Sequence, residues 1–199
     1  MSNQVHCRRP VRNLTLTGCF AAVLGGLILF LCLVCVSVTV TLNFRPLYYL
    51  DMKLLHISDI SGYSNDVIRK NFDALIRYNN IWHTGILNFP DFSMSESGRI
   101  HFEEVKKVFS VFEYGALILI PLSAVEIIAA KKKRFGSLFA AAGIISVGIP
   151  ASLGLLIAAN WEWVFITFHK LVFQNDYWLF DPYTDPVITI LPDEFFMHC

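Results

Sequence analysis

Three stretches of the chain stay apolar for longer than a helix needs to cross a lipid bilayer. Residues 14–42 are apolar or small throughout, and no charged side chain falls between Arg12 and Arg45. Residues 108–130 form a second run, interrupted by Glu113 near its start and Glu126 near its end. The third run, 135–159, is uncharged and rich in Ala, Gly and Ile. A hydrocarbon core of about 30 Å takes roughly 20 apolar residues in a helix, whereas a soluble core helix explains runs of only about 10–14. The pattern therefore predicts an all-α integral membrane protein with spanning helices at 13–43, 108–130 and 135–160.

Between the first two spans, residues 44–107 have a different texture. Gly62-Tyr63-Ser64-Asn65 precedes a mixed helical stretch at 66–79, where Val67, Phe72, Leu75, Ile76 and Tyr78 leave a partly apolar face. Residues 85–98, with Pro90, Ser93, Ser95 and Ser97, read as irregular loop. Helical period returns at His101 and feeds into the second span, with His101, Glu104, Val105 and Val108 on one face. After the third span, Trp161-Glu162-Trp163 is a Trp pair suited to the membrane–water boundary. Val164, Phe165, Phe168 and Val172 keep helical spacing beyond it, so 161–199 reads as an interfacial helix and a tail. Asp181-Pro182, Asp185-Pro186 and Leu191-Pro192 punctuate that tail, each Pro pushing the residue before it away from helix.

Composition agrees with a lipid-solvated chain. Of 199 residues, 55% are hydrophobic and 16% charged, against about 25% charged in soluble domains; mean hydropathy is +0.53. Sixteen Lys and Arg balance sixteen Asp and Glu, which excludes a basic nucleic-acid footprint and an acidic disordered tail. The distribution of charge is more informative. Arg8, Arg9 and Arg12 in the arm 1–12, and Lys131 to Arg134 in the turn 131–134, have no acid among them. The positive-inside bias puts both on the cytoplasmic side, leaving 44–107 and 161–199 outside. The first span exceeds the 7–15 apolar residues of a signal peptide and has no A-x-A site, so it reads as a retained anchor. Cys19, Cys32 and Cys35 lie inside it and Cys7 precedes it; of the five cysteines only Cys199 is outside, which excludes an outer disulfide framework. Cys32 and Cys35, despite their CxxC spacing, read as packing residues in an apolar span.

Candidate chemistry reduces to histidine. No G-x-S-x-G elbow, H-E-x-x-H pair, D-x-D pair or glycine-rich phosphate loop occurs. His6 is in the cytoplasmic arm, and His56 and His83 sit in loop without evident partners. His101 and His169 each fall on a helix at the outer boundary, among apolar residues and near carboxylates, where a pair of imidazoles can divide base and acid roles. The plainer alternative is an interfacial ring with its polar edge in water. A metal site from His101, His169 and Asp181 is conceivable but has no close-spaced ligand pair. Nothing points to a cofactor.

The tail carries a family pattern. Phe168-His169, Phe173, Asn175, Trp178, Asp181-Pro182, Asp185, Pro192 and Phe195-Phe196 resemble the signature of the bacterial lipoprotein intramolecular transacylases. Gly98, His101-Phe102, Val105-Lys106 and Phe109 resemble that family's second motif, and the basic inner turn and long first outer loop are similar too. The resemblance implies a multi-pass enzyme of the bacterial plasma membrane with its site at the outer leaflet. It would move an acyl chain from the diacylglyceryl group of a lipoprotein to the α-amine of the same cysteine, giving a lyso-form product, without metal or cofactor. His101 and His169 would be catalytic; Asn175, Trp178, Asp181 and Asp185 would bind or orient the substrate. His169 as base on the amine and His101 as donor to the glyceryl oxygen is one assignment, and the reverse is equally allowed. The partners implied are a diacylated lipoprotein and membrane lipid. The family pattern also leads to the expectation of a fourth spanning helix after Pro192–Phe196, beyond the last residue of this sequence. The contrasting readings are a non-enzymatic membrane scaffold and a metal-dependent membrane hydrolase built on the same histidines.

Overall fold

The computed structural model describes residues 16–133 and 136–199, with side chains for 20–21, 23–129 and 143–199. Every regular element among them is helical. The uncharged first run forms α1, Leu16–Asn43. The segment that follows folds into α2 (Arg45–Leu54), α3 (Ile57–Ser61) and α4 (Asn65–Asn79). Next comes α5, Glu96–Lys133, a single helix of 38 residues. The last long elements are α6 (Gly136–Ala159) and α7 (Trp161–Val172), followed by a 3₁₀ turn at Pro186–Ile190 and α8 (Asp193–His198).

The membrane part is small. Helix α1 packs against both α5 and α6. Its approach to α5 is close, because a Cβ added at Gly115 would lie 2.8 Å from Cys35 Sγ. Small residues at such crossings are how helices associate where lipid supplies no hydrophobic drive. Helices α1 and α5 are each long and apolar enough to span, and α6 with α7 passes the same test as one pair bent by 115°. The bend falls at Asn160, whose side chain accepts a hydrogen bond from Trp163 N at 3.1 Å and so starts α7 as a separate helix.

A second core is built from polar-surfaced elements. Tyr48, Ile68, Phe72, Phe89, Phe102, Val187, Ile190 and Phe195 are buried together, joining α2, α4, α5 and the tail. Tyr48 stacks on Phe72 with ring centroids 3.6 Å apart, and its hydroxyl donates to the Ile190 carbonyl at 2.7 Å. The tail thus returns beneath α2, a long-range contact that its prolines alone do not announce. Tyr48→Phe deletes this buried bond and leaves a carbonyl unpaired, so thermal stability in detergent is expected to fall by about 1–3 kcal/mol with the helix content intact. An unchanged melting temperature would mean that stacking alone holds the tail.

Two loops are fastened by side-chain amides and acids. Asn71 Nδ2 donates to Asp91 Oδ2 at 2.9 Å, and Asp91 N returns to Asn71 Oδ1 at 3.2 Å. Glu113 Oε2 accepts from Ile81 N at 2.8 Å, which gives the acid near the start of the second apolar run a structural partner. The irregular stretch expected over 85–98 ends three residues early. Ser95 Oγ accepts from Gly98 N at 2.9 Å, and this cap opens α5 at Glu96.

Candidate active site

The first three turns of α5 are charged, with Glu96, Arg99, Glu103, Glu104, Lys106 and Lys107, and precede the apolar run at 108–129. On the inward side of these turns His101 is only 5% exposed. Phe173 (ring centroids 4.8 Å away) and Phe180 (5.4 Å) wall it in. Its Nδ1 is buried without a hydrogen-bond partner. His169 comes from the last turn of α7, where the bend after α6 swings it across the top of α5; the two imidazoles lie 6.1 Å apart, tilted by 30°.

The two rings differ in their fixings. His169 Nδ1–H donates to the Phe165 carbonyl at 2.8 Å, which leaves Nε2 with its lone pair in the neutral ring. Phe165 packs on His169 at 4.1 Å and Trp178 at 4.8 Å. Burial, with a smaller contribution from His169 nearby, pushes the pKa of His101 down to about 4. Burial also lowers that of His169, opposed by its bond to Phe165. Both are therefore neutral at physiological pH. In the unfolded chain His101 takes up its proton near pH 6.5, but in the fold only near pH 4. Acid between those values favours unfolding, because the unfolded state binds more protons. The melting temperature in detergent is expected to drop as pH falls from 6.5 to 4, with a shallower slope in His101→Phe. Equal slopes in the two proteins would refute this.

The remaining sequence-derived candidates take distinct places. Asn175 Nδ2 donates to Glu104 Oε1 and Oε2 at 2.9 and 3.2 Å, while Asn175 Oδ1 accepts from Tyr177 N at 3.0 Å. Trp178 stands against His169, and its indole nitrogen is buried and unpartnered. Asp185 is 2% exposed; its Oδ1 accepts from Ser95 N at 2.8 Å and its Oδ2 from Thr184 Oγ1 at 2.7 Å. It locks the tail onto the first turn of the helix that carries His101. Asp181 is exposed and organises its own turn, accepting from Tyr183 N at 2.9 Å. It touches neither histidine ring.

The other described histidines are elsewhere. His56 pairs with Asp59 on the surface, His83 packs beside Tyr78, and His198 Nδ1 lies 2.9 Å from the buried Asp51. His6 falls outside the described residues. Among those residues no group of three His, Cys, Asp or Glu side chains gathers in a way that could hold a metal ion.

Three residues at the site carry no role in the sequence reading. Phe180 stacks on Phe102 and edges His101, and Phe165 supplies both a ring and a carbonyl to His169. Glu104 shares the face of His101 by its i+3 spacing, but its contact with Asn175 joins positions 71 apart and leaves no local trace. Around the pair, Trp163, Phe168, Leu171 and Leu179 are exposed, Leu171 by 80%. A neutral histidine pair inside an aromatic wall, opening on an apolar rim, is suited to moving a proton on a lipid that approaches along the membrane.

A family model described as lipoprotein intramolecular transacylase Lit matches residues 23–196. A solved structure of the membrane integral lipoprotein intramolecular transacylase Lit from Bacillus cereus superposes with a TM-score of 0.86 at 34% identity, covering 90% of this chain and 84% of that one. A histidine-to-alanine variant of the same Bacillus cereus protein gives 0.80, again at 34% identity, covering 90% of this chain and 82% of that one. A histidine-to-arginine variant gives 0.76 at 34% identity, with 90% and 80% covered. Comparison with curated proteins returned no match.

Proposed function

Because the chain belongs to the lipoprotein intramolecular transacylase family, we propose that it moves an acyl chain from the diacylglyceryl group of a bacterial lipoprotein to the α-amine of that lipoprotein's own N-terminal cysteine. The observation that carries the chemistry is the pair His101 and His169, 6.1 Å apart within aromatic walls. In this reading Nε2 of His169 takes a proton from the amine. The nitrogen bonds to the ester carbonyl carbon, the bond from that carbon to the glyceryl oxygen breaks, and the proton returns to that oxygen. His101 hydrogen-bonds the glyceryl oxygen as it leaves. The assignment of His169 as base is supported by its Nδ1–H bond to Phe165, which fixes the tautomer with Nε2 free. Amine and ester belong to one substrate molecule, so holding the lipid in place supplies proximity without an acyl-enzyme.

Asn175, Trp178 and Asp185 would hold the site together, and Asp181 would shape the turn between them. The lipid-facing rim supports a diacylated substrate drawn from the membrane. The acid-free basic stretches at the N-terminal arm and at 131–134 support a plasma-membrane orientation with both in the cytoplasm and the histidines at the outer leaflet. The test is expression in a bacterium that makes diacylated lipoproteins, followed by tandem mass spectrometry of one N-terminal lipopeptide. Conversion to the N-acyl, monoacylglyceryl isomer is expected. Unchanged diacyl lipopeptide with well-inserted protein would overturn the reading.

A further inference from the structure

The carboxylate of Glu104 has no role in the reaction as just described. It lies one helical turn beyond His101 on the same face of α5. Asn175, which holds it, is two residues past Phe173, whose ring contacts both His101 and His169. Glu104 is half-buried, and among the described residues no Lys, Arg or His pairs with it. Of its charged neighbours on α5, Glu103 pairs with Arg99, Lys106 Nζ donates to the His83 carbonyl at 2.8 Å, and Lys107, one turn further on, is exposed and makes no ion pair with it. Asn175 Nδ2 is the donor that approaches it, reaching both oxygens from one side. A carboxylate has about four acceptor positions; Asn175 supplies one donor to Glu104, which has no cationic partner among the described residues, on the helix face it shares with His101.

We infer that Glu104 is the anchor for the cationic α-ammonium group of the substrate's N-terminal cysteine, held in register by Asn175. The inference rests on the acyl-transfer reading and adds the group that recognises the amine. An α-amine has a reference pKa of about 7.7–8.0 and arrives largely protonated at neutral pH. Seated on Glu104, the ammonium gives one proton through His169 to solvent and becomes nucleophilic. The second proton, lost as the N–C bond forms, goes to the departing glyceryl oxygen. Selection for a free amine follows, because an N-acylated product has no charge to offer and leaves.

The test compares two ligands in one protein. Binding of a diacylglyceryl-cysteine peptide with a free α-amine, and of its N-acetylated counterpart, is measured in detergent on the His169→Ala background, where no turnover intrudes. The free amine is expected to bind about tenfold more tightly at pH 7, with the preference gone in Glu104→Gln and gone at pH 9 in the parent. Because each variant supplies its own ratio, partial loss of folded protein cancels. The amide oxygen introduced by Glu104→Gln can still accept from Asn175, so a role in positioning alone would leave the ratio unchanged; that result overturns the inference. So does a parent that binds both ligands equally. A preserved, Glu104-dependent ratio in a chain whose wild type fails to convert lipoprotein would uphold the anchor while rejecting the transfer.

Discussion

Replacing His169 with alanine is expected to lower the rate of lipopeptide conversion by about 10³-fold, within the range that general acid–base groups contribute. The physical reason is specific to its place. His169 is the imidazole whose tautomer is fixed by a carbonyl four residues earlier, so its free nitrogen points away from its own helix turn. No other described histidine can substitute: His101 is the only ring of that kind near it, and burial leaves His101 with an unpartnered Nδ1 and a depressed basicity. His101→Ala should also lose activity, but with a different signature. It removes a buried ring packed on Phe173 and Phe180, so some of its loss is expected as lower thermal stability, while His169→Ala melts close to wild type. The measurement is conversion per inserted protein by mass spectrometry, paired with melting curves in detergent. Activity within threefold of wild type in His169→Ala would end the assignment of the base.

The second large effect is expected far from any proton transfer. A Cβ added at Gly98 would sit 2.3 Å from Asp185 Oδ1 and 3.1 Å from Phe180 Cε1. Neither neighbour is free to give way, since Asp185 holds Ser95 N and the Thr184 hydroxyl and Phe180 is stacked on Phe102. Gly98→Ala therefore forces the buried carboxylate out, leaving its donors unpaired as well as straining the packing. Together these cost about 3 kcal/mol, or a melting temperature lower by roughly 10 °C for a chain of this size. Activity should fall too, because the displaced turn leads directly to His101. Gly143→Ala, where no atom of the described residues lies within 4 Å of the new Cβ, is the control and should be neutral. A Gly98→Ala protein that melts and works like wild type would show that the tail is not clamped there.

How much of this is written locally in the chain differs by element. The apolar runs behind α1, α5 and α6 are legible because length alone distinguishes a span. The onset of α5 at Glu96 is not, although Ser95 carries the capping hydroxyl, because the serines on either side make the stretch look irregular. His101 and His169 stand out in sequence by their places on helices at the outer boundary and by the family motif, but the 6.1 Å between them is created by the bend at Asn160. The return of the tail beneath Tyr48 joins positions 142 apart. No periodicity encodes that. It depends on Pro186–Ile190 forming a 3₁₀ turn that turns Val187 and Ile190 inward. Asp181 differs again: the contact its carboxylate makes is a local one, accepting from Tyr183 N two residues on.

The continuity of α5 has a mechanical meaning. At 1.5 Å per residue, 38 residues make a rod about 57 Å long, nearly twice the hydrocarbon thickness of about 30 Å. The rod cannot be submerged, so its charged end stands clear of the oil by a distance fixed by the sequence. His101 lies seven residues before Val108, about 10 Å above the point where the apolar run begins. The helix works as a depth gauge. It holds the imidazole a fixed distance beyond the apolar run, whatever the thickness of the lipid around that run.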